Sequence, residues 1–383
     1  MSYDIIIVGG GMVGQAFALS MANTEYKIAI LEPNNPNPEL RVDCHTRVSA
    51  ITPTSEKLLK TIGAWDLITR KHAFSHTSVW DQNSHGILDF HAKDEGLDHL
   101  GHIIENDAIQ SALFKTLKKT KIEFINTKLD SITKTSTGYQ AKLENHDTLT
   151  CQLLIGADGA RSRVRDLAGV EFSENNYQQK AIVCNIKSSQ GFKDTTWQRF
   201  LSDSIIALLP LSEHQASIVW SAENILADEL MQLSKEDFAK RLSAGVEYRF
   251  GEFEVMSDIQ AFPLIERSAK DYVQENLALI GDAAHNIHPL AGQGVNLGFS
   301  DIIELSQQLT SSSKSLGDYS TLRNYARARR LDNELMAKTM TSLNWIYKEN
   351  NEPLRWLRGF GMNLINDNPT LKSFLQKHAL GNS

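Results

Sequence analysis

Three stretches of the 383-residue chain each join glycines to one acid in a way that suits a ligand carrying phosphates and a flat ring. The first is Gly9-Gly10-Gly11-Met12-Val13-Gly14, which reads Gly9-x-Gly11-x-x-Gly14 directly after the apolar run Tyr3 to Val8. In such a pattern Gly9 makes the tight turn, Gly11 lets backbone approach a pyrophosphate, and Gly14 lets the following helix pack on the strand. Glu32, closing the next apolar run Lys27 to Leu31, can accept from a ribose hydroxyl. The second stretch, Gly156-Ala157-Asp158-Gly159, follows Cys151 to Ile155 and puts Asp158 at the carboxyl end of a strand, where open α/β sheets bind ligands. The same aspartate could equally cap the helix behind it, and both roles can hold at once. The third runs from Gly281-Asp282-Ala283-Ala284-His285 through His288, Pro289, Gly292, Gly294, Val295 and Asn296 to Gly298. It follows the strand-like Asn276 to Ile280 and enters a segment with helical spacing (Leu297, Ile302, Ile303, Leu305, Leu309). Its glycines allow close backbone approach, and a helix start offers free N–H groups and partial positive charge to an anionic ring edge or a phosphate. Taken alone, the third stretch also fits a tight structural turn.

The elements that must position these loops alternate in type. Strands at Tyr3–Val8 and Lys27–Leu31 enclose a helix reaching about Asn23. A helix over Ser55–Thr69 follows, then a hairpin within residues 75–91, a strand at Gly101–Glu105, and a helix over Ala108–Lys118 capped by Asn106. Short strands at Ile122–Ile125, Leu129–Thr133, Tyr139–Leu143 and Cys151–Ile155 lead to the second motif. Residues 177–263 change character, being rich in strands with one helix over Lys235–Ala244. The pattern predicts an α/β protein with a Rossmann-like nucleotide-binding domain built from residues 1–74, 98–176 and 264–330. A mixed β-sheet substrate domain (75–97 and 177–263) is inserted into it, and a helical region (331–383) follows. Arg47 sits at the mouth of the Ser55 helix, where a solvated helix-end arginine is as good a reading as a ligand contact. Gln110 reads as a surface residue unless a cofactor lies there.

Composition removes several classes of function. Hydrophobic residues make up 41% and charged residues 22%, as in an ordinary globular protein, so disorder is not expected. The net charge of −7 is spread along the chain without basic blocks, which argues against nucleic-acid binding. Cys44, Cys151 and Cys184 have neither disulfide-framework nor metal-ligand spacing, which suits free thiols in a reducing compartment. The N-terminus enters a strand without a basic or signal-like region, and no apolar run approaches the roughly 18 residues of a membrane span. A cytoplasmic location is the expectation. Toward the C-terminus, Leu354, Trp356, Leu357, Phe360 and Leu364 are interspersed with Arg355 and Arg358. That mixture fits helices packed across the nucleotide domain, or a helix lying on a membrane surface.

Taken together and in order, the three motifs resemble the fingerprints of the FAD-dependent aromatic hydroxylases of the para-hydroxybenzoate hydroxylase fold, and the resemblance spans nearly the whole chain. Gly281 to His285 with Pro289 to Gly298, Arg47-Val48-Ser49-Ala50-Ile51 and Ile104-Glu105-Asn106 look like the ubiquinone-biosynthesis branch (UbiH/UbiF/VisC type). The resemblance implies FAD, tightly but not covalently held. Gly9, Gly11, Met12, Val13 and Gly14 would lie at its pyrophosphate and Glu32 at its ribose, with Arg47 and Gln110 near the cofactor. Asp158 would sit near the pyrophosphate, Asp282 at the ribityl chain, and Pro289, Gly292, Gly294, Val295 and Asn296 along the flavin edge. A helix start there would stabilise the negative charge of reduced flavin.

Only one nucleotide fingerprint is present, and the resemblance implies NAD(P)H as a transient co-substrate bound without a separate Rossmann domain. The implied reaction is transfer of one oxygen atom from O2 to a phenolic ring. In the resembled branch the substrate is a polyprenylated phenol, with membrane-surface contact and a ubiquinone-biosynthesis protein complex as partners at the inner membrane. No catalytic residue and no metal are assigned. His285 and His288 read as structural histidines. Hydroxylation of small soluble phenols, reduction of a prenyl lipid, and a non-catalytic FAD assembly protein are the rival readings.

Overall fold

Ser2–Val8 lies inside the first sheet, flanked in parallel by Ile28–Leu31 on one side and Thr148–Gly156 on the other. Ile5, Ile6 and Ile7 are all fully buried, the unbroken apolar run that a parallel strand covered on both faces requires. This computed structural model describes residues 1–383 apart from 35, 37–38, 41–42, 83–85, 287–293, 349–365, 369, 371, 374–375 and 377–383, and the side chains of 335–348. The sheet runs Val273–Gln274, Leu277–Leu279, Thr148–Gly156, Ser2–Val8, Ile28–Leu31, Glu123–Ile125, and the Leu129–Lys134/Tyr139–Leu143 hairpin pairs onto Thr148–Gly156. Helices Met12–Ser20, Asn106–Leu117, Gly294–Ser311 and Tyr319–Lys348 cover it, their buried apolar faces merging with the strands into one core.

One consequence of the register governs function. Val8 pairs with Leu31 and with Gly156, and Gly156 pairs with Leu279. The carboxyl ends of four adjacent strands are therefore level, and Gly9, Glu32, the second motif and the third motif all emerge along one edge. Ligands of open α/β sheets occupy this edge.

The second sheet has nine strands: His285–Asn286, Gln260–Ala269, Phe172–Ser188, Gln215–Glu223, Ser204–Pro210, Thr195–Phe200, His76–Asp81 and Ile87–His91, with Phe253–Val255 pairing onto Phe172–Ser188. Its core holds Trp80, Ile182, Ile206, Ile218, Trp220, Phe238, Leu242 and Phe250. The 17-residue strand Phe172–Ser188 continues past position 177, with a register shift against Gln260–Ala269 between Asn176 and Lys180 where Gln178 has φ +56°, and Gln260–Ala269 runs through 264. The short strand His285–Asn286 pairs with Arg267 and Ser268, so the third motif leads from the first sheet into the second. A third sheet joins Val48–Ile51, Gly101–Glu105 and His72–Phe74.

Several local expectations need correction. The helix expected over Ser55–Thr69 is Pro53–Thr61, with Thr52 Oγ1 accepting from Ser55 N–H at its start. Gly63, at φ +75°, turns the chain into a single 3-10 turn at Trp65–Leu67. Helical spacing continues across Gly63 and hides the break. Asn106 does not cap; it is the first helical residue, its Oδ1 accepts from Ser49 Oγ at 2.7 Å, and Glu105 holds the cap position. Helix Asn224–Met231 was not foreseen. The apolar stretch Leu354 to Ile365 lies outside the described residues. Nearby described residues meet the second sheet: Lys372 Nζ approaches Asp94 at 3.3 Å and Gln376 Nε2 donates to His91 O at 3.0 Å. Among the described residues, no helix is long and apolar enough to cross a membrane.

Candidate functional site

The first motif is a cradle that side chains would fill. A Cβ on Gly14 would stand 1.9 Å from Gly9 O, and one on Gly9, at φ +107°, would stand 2.3 Å from Ala157 O. A Cβ on Gly11 would meet nothing within 4 Å. The closed positions thus lie between strand and helix, and the open one lies where a ligand would approach. Met12 and Val13 are half-buried in the first turn of the Met12–Ser20 helix, which contains no acid, leaving its N–H groups and dipole free for phosphate. Glu32 Oε2 accepts from Gly10 N–H at 2.8 Å, and Oε1 from Asn34 N–H at 3.0 Å. These bonds fix the carboxylate beside the glycine turn with lone pairs remaining for a hydroxyl.

Asp158 helps cap the helix behind it, whose N-cap residue is Ser162, with Oγ accepting from Arg165 N–H at 3.0 Å. The Asp158 oxygens accept from Ser162 Oγ at 2.5 Å, Arg163 N–H at 2.7 Å and Val164 N–H at 3.1 Å. Burial pushes the carboxyl up while those three bonds favour its charged form. From the same helix the buried Arg165 donates to Ala160 O at 3.1 Å and to Ala283 O at 3.2 Å, tying the second motif to the third. Its guanidinium lies over the Phe172 ring at 4.2 Å. The first motif meets the third through Val13: Cβ atoms on Gly298 and Gly281 would lie 2.6 Å and 3.2 Å from its methyls.

Asp282 is exposed at the strand end and, among the described residues, takes one long bond, from Asn286 Nδ2 at 3.4 Å. Protein crowds it closely enough to push its carboxyl up, opposed by His285 and Arg47, so Arg47 and Asp282 share one electrostatic neighbourhood. Arg47 is exposed, with its guanidinium 5.4 Å from the Phe262 ring. Gln110 is half-buried on Asn106–Leu117, which packs against the Met12–Ser20 helix. Pro289 and Gly292, like His288, lie outside the described residues. Gly294 opens the helix Gly294–Ser311, where a Cβ would meet nothing within 4 Å, and Val295 is half-buried. Asn296 turns its side chain inward: Oδ1 accepts from Ser55 Oγ at 2.7 Å and Thr52 N–H at 3.2 Å, and Nδ2 donates to Ala50 O at 2.7 Å. The first turn of this helix also lacks acids.

Sequence reasoning missed the support beneath the third motif. Asp301, fully buried, accepts from Gly281 N–H at 2.9 Å and pairs with His285 Nε2 at 2.6 Å through Oδ2. Its Oδ1 accepts from Arg329 Nε at 2.9 Å, and Arg329 also reaches Asn333 and Asp332. His285 is thus a satisfied structural histidine. The only signal was an acid and a base at helical positions 28 residues apart, and spacing does not distinguish such a pair from surface charges.

The donor set fits FAD: a glycine cradle, an acid beside the turn, an exposed aspartate on the neighbouring strand end, and two acid-free helix starts at the same edge. Comparison with known proteins agrees. The family described as FAD binding domain matches residues 2–339. The 3-demethoxyubiquinol 3-hydroxylase of Escherichia coli (strain K12) is 34% identical over 99% of this chain and 98% of its own length. The mitochondrial ubiquinone biosynthesis monooxygenase COQ6 of Danio rerio is 34% identical over 98% of this chain and 89% of its own. In fold, Pseudomonas aeruginosa PqsL in complex with 2-aminobenzoylacetate superposes with a TM-score of 0.78 at 19% identity, covering 94% of this chain and 100% of its own. The p-nitrophenol 4-monooxygenase PnpA of Pseudomonas putida DLL-E4 gives 0.77 at 18%, covering 100% and 99%. The chain belongs to the FAD-binding-domain family, as an FAD-dependent monooxygenase of its ubiquinone-biosynthesis hydroxylase branch.

Proposed function

We propose that this protein hydroxylates the aromatic ring of a polyprenylated phenol on the route to ubiquinone, using NAD(P)H transiently. The observation that carries the reading is the level register of Val8, Leu31, Gly156 and Leu279, which brings three ligand loops and Glu32 to one edge in a chain whose relatives are ubiquinone hydroxylases. Bound FAD supplies the redox chemistry, passing electrons from NAD(P)H to O2 and one oxygen atom to the ring.

The chain's own part is positioning. Gly11, Met12 and Val13 would offer backbone N–H groups to the pyrophosphate, with Gly9, whose own N–H donates to Leu31 O, making the turn, Gly14 the close helix contact, and Glu32 accepting from the ribose. Asp282 would accept from the ribityl hydroxyls. Asp158, whose oxygens are engaged by the helix it caps, would order the pyrophosphate end through backbone. Arg47 and Gln110 would flank the cofactor, and Pro289, Gly292, Gly294, Val295 and Asn296 would face the flavin edge with backbone. Asn296, its side chain bonded to three partners, would hold the Gly294–Ser311 helix start at that edge, where its dipole favours negative charge. A polyprenylated substrate partitions into a bilayer, so we also propose that the protein works at the inner-membrane surface, beside other ubiquinone-biosynthesis proteins.

The test is turnover of FAD-loaded protein with NAD(P)H, comparing a prenylated demethoxyubiquinol presented in vesicles with small soluble phenols, the products identified by mass. A prenylated product gaining one oxygen atom supports the proposal. Product from soluble phenols alone would move the activity to another hydroxylase of this fold, and NAD(P)H oxidation that no phenol stimulates would remove the hydroxylase reading.

A further inference from the structure

Three side chains from separate parts of the sequence converge at the third sheet. Glu56 comes from the Pro53–Thr61 helix, His102 from the strand Gly101–Glu105, and His99 from the loop just before that strand. One carboxylate oxygen, Glu56 Oε2, lies 2.8 Å from His99 Nε2 and 3.2 Å from His102 Nδ1, and the three atoms all fall within 4.8 Å of one another. His102 Nδ1 is buried and makes no hydrogen bond despite its distance from the carboxylate. A buried nitrogen without a partner is costly, and here it points at an oxygen it cannot reach in hydrogen-bonding geometry.

We infer that Glu56, His99 and His102 form a binding site for a divalent transition-metal ion of the zinc class. Two imidazole nitrogens and one carboxylate oxygen are a known tetrahedral zinc set with a position left for water. Zinc bonds of about 2.0–2.1 Å require donor atoms about 3.3 Å apart. The Glu56–His102 separation is already close to that, the Glu56–His99 separation is about half an ångström short of it, and the two ring nitrogens lie within 4.8 Å of each other. Imidazole donors select against magnesium and calcium, which prefer all-oxygen shells.

Enclosure is uneven: the Glu56 side chain is 8% exposed and that of His102 12%, whereas His99 is 28% exposed and leaves an entry from solvent. The Trp65 ring stands edge-on to His102 at 5.0 Å and fixes its plane. Lys60 Nζ, 2.6 Å from the other carboxylate oxygen, is the competing cation. The preceding residue in the helix, Ser55, donates to Asn296, so an occupied site would brace the element that holds the flavin-edge helix.

The experiment uses tag-free, FAD-loaded protein treated with chelator, then dialysed against Zn2+ with bound metal measured by elemental analysis. One zinc per chain is expected, with at least a tenfold loss of affinity in Glu56→Gln, His99→Gln and His102→Gln variants that keep their FAD. Lys60→Met should bind at least as tightly as the parent. No uptake by the parent protein, or a full equivalent retained by those variants, would overturn the assignment. X-ray absorption on the zinc-loaded parent needs no variant. A shell of two imidazoles with oxygen supports the site, and a shell containing sulfur or only oxygen refutes it.

Discussion

His285 Nε2 and Asp301 Oδ2 lie 2.6 Å apart, both side chains removed from water, and this pair anchors the segment that carries Asp282. The same oxygen takes the Gly281 N–H, and the other takes Arg329. A single carboxylate therefore fixes the strand end, the Gly294–Ser311 helix and the Tyr319–Lys348 helix together.

Replacing Asp301 by Asn should lower stability by about 3–5 kcal/mol, because Arg329 loses its buried counter-charge and keeps only the half-exposed Asp332. Burial pushes the Asp301 carboxyl up, but His285 and Arg329 outweigh it and hold it below the usual carboxylate range. A depressed carboxylate stabilises the fold above the unfolded value of about 4, and that contribution is lost as pH falls through the lower native value. Urea midpoints below pH 4 should therefore fall more steeply for the parent than for Asp301→Asn. Parallel pH profiles would contradict this.

Gly298→Ala should overpack the contact with Val13, where a Cβ would lie 2.6 Å from a methyl carbon. The expected cost is about 1–3 kcal/mol, with weakened FAD binding. Adding Val13→Ala should recover at least half of it, since the two positions are coupled by direct contact. Additive losses in the thermal midpoint would show that the clash is relieved elsewhere.

The sheet that carries the ligand was largely legible in sequence. Buried parallel strands must be continuously apolar, so Tyr3–Val8 and Cys151–Ile155 announced themselves, and glycine spacing marked the turn at Gly9. Tyr139–Leu143 and Gly101–Glu105 were also visible in full. Interactions between distant residues were not. Nothing local to Asn296 says that its side chain faces Ser55 and Ala50, and nothing near Arg165 says that it reaches Ala283. Gly63 was passed over because the apolar rhythm of a helix persists through a break and a 3-10 turn.

Glu32→Ala and Asp282→Ala should each weaken FAD binding about 10- to 100-fold, as expected for losing hydrogen bonds to a charged group. Their effects on the apo protein should differ. Among the described residues Asp282 makes one bond, at 3.4 Å, and its removal should leave the unfolding midpoint unchanged. Loss of Glu32 frees the Gly10 and Asn34 N–H groups and should lower the midpoint slightly. Full FAD occupancy in Asp282→Ala, followed by flavin absorbance on dilution, would remove that carboxylate from the site.

Asn296→Ala should leave FAD bound but loosen the helix start that Ser55, Thr52 and Ala50 restrain. Product formation should fall roughly tenfold, about 1.4 kcal/mol in the barrier, while NAD(P)H oxidation falls less. The ratio of product formed to NAD(P)H consumed is the readout. An unchanged ratio would mean the restraint does not serve the reaction.

Arg329 reaches back to Asp301 across 28 residues, which orders events while the chain is being made. Asp301 leaves the ribosome first and must wait for its cation, roughly 1–6 s at synthesis rates of about 5–20 residues per second. During that interval the third motif is held by Arg165, Ser268 and an Asp301 carboxylate that still lacks its cation, so the cofactor edge gains its last restraint only when the Tyr319–Lys348 helix docks.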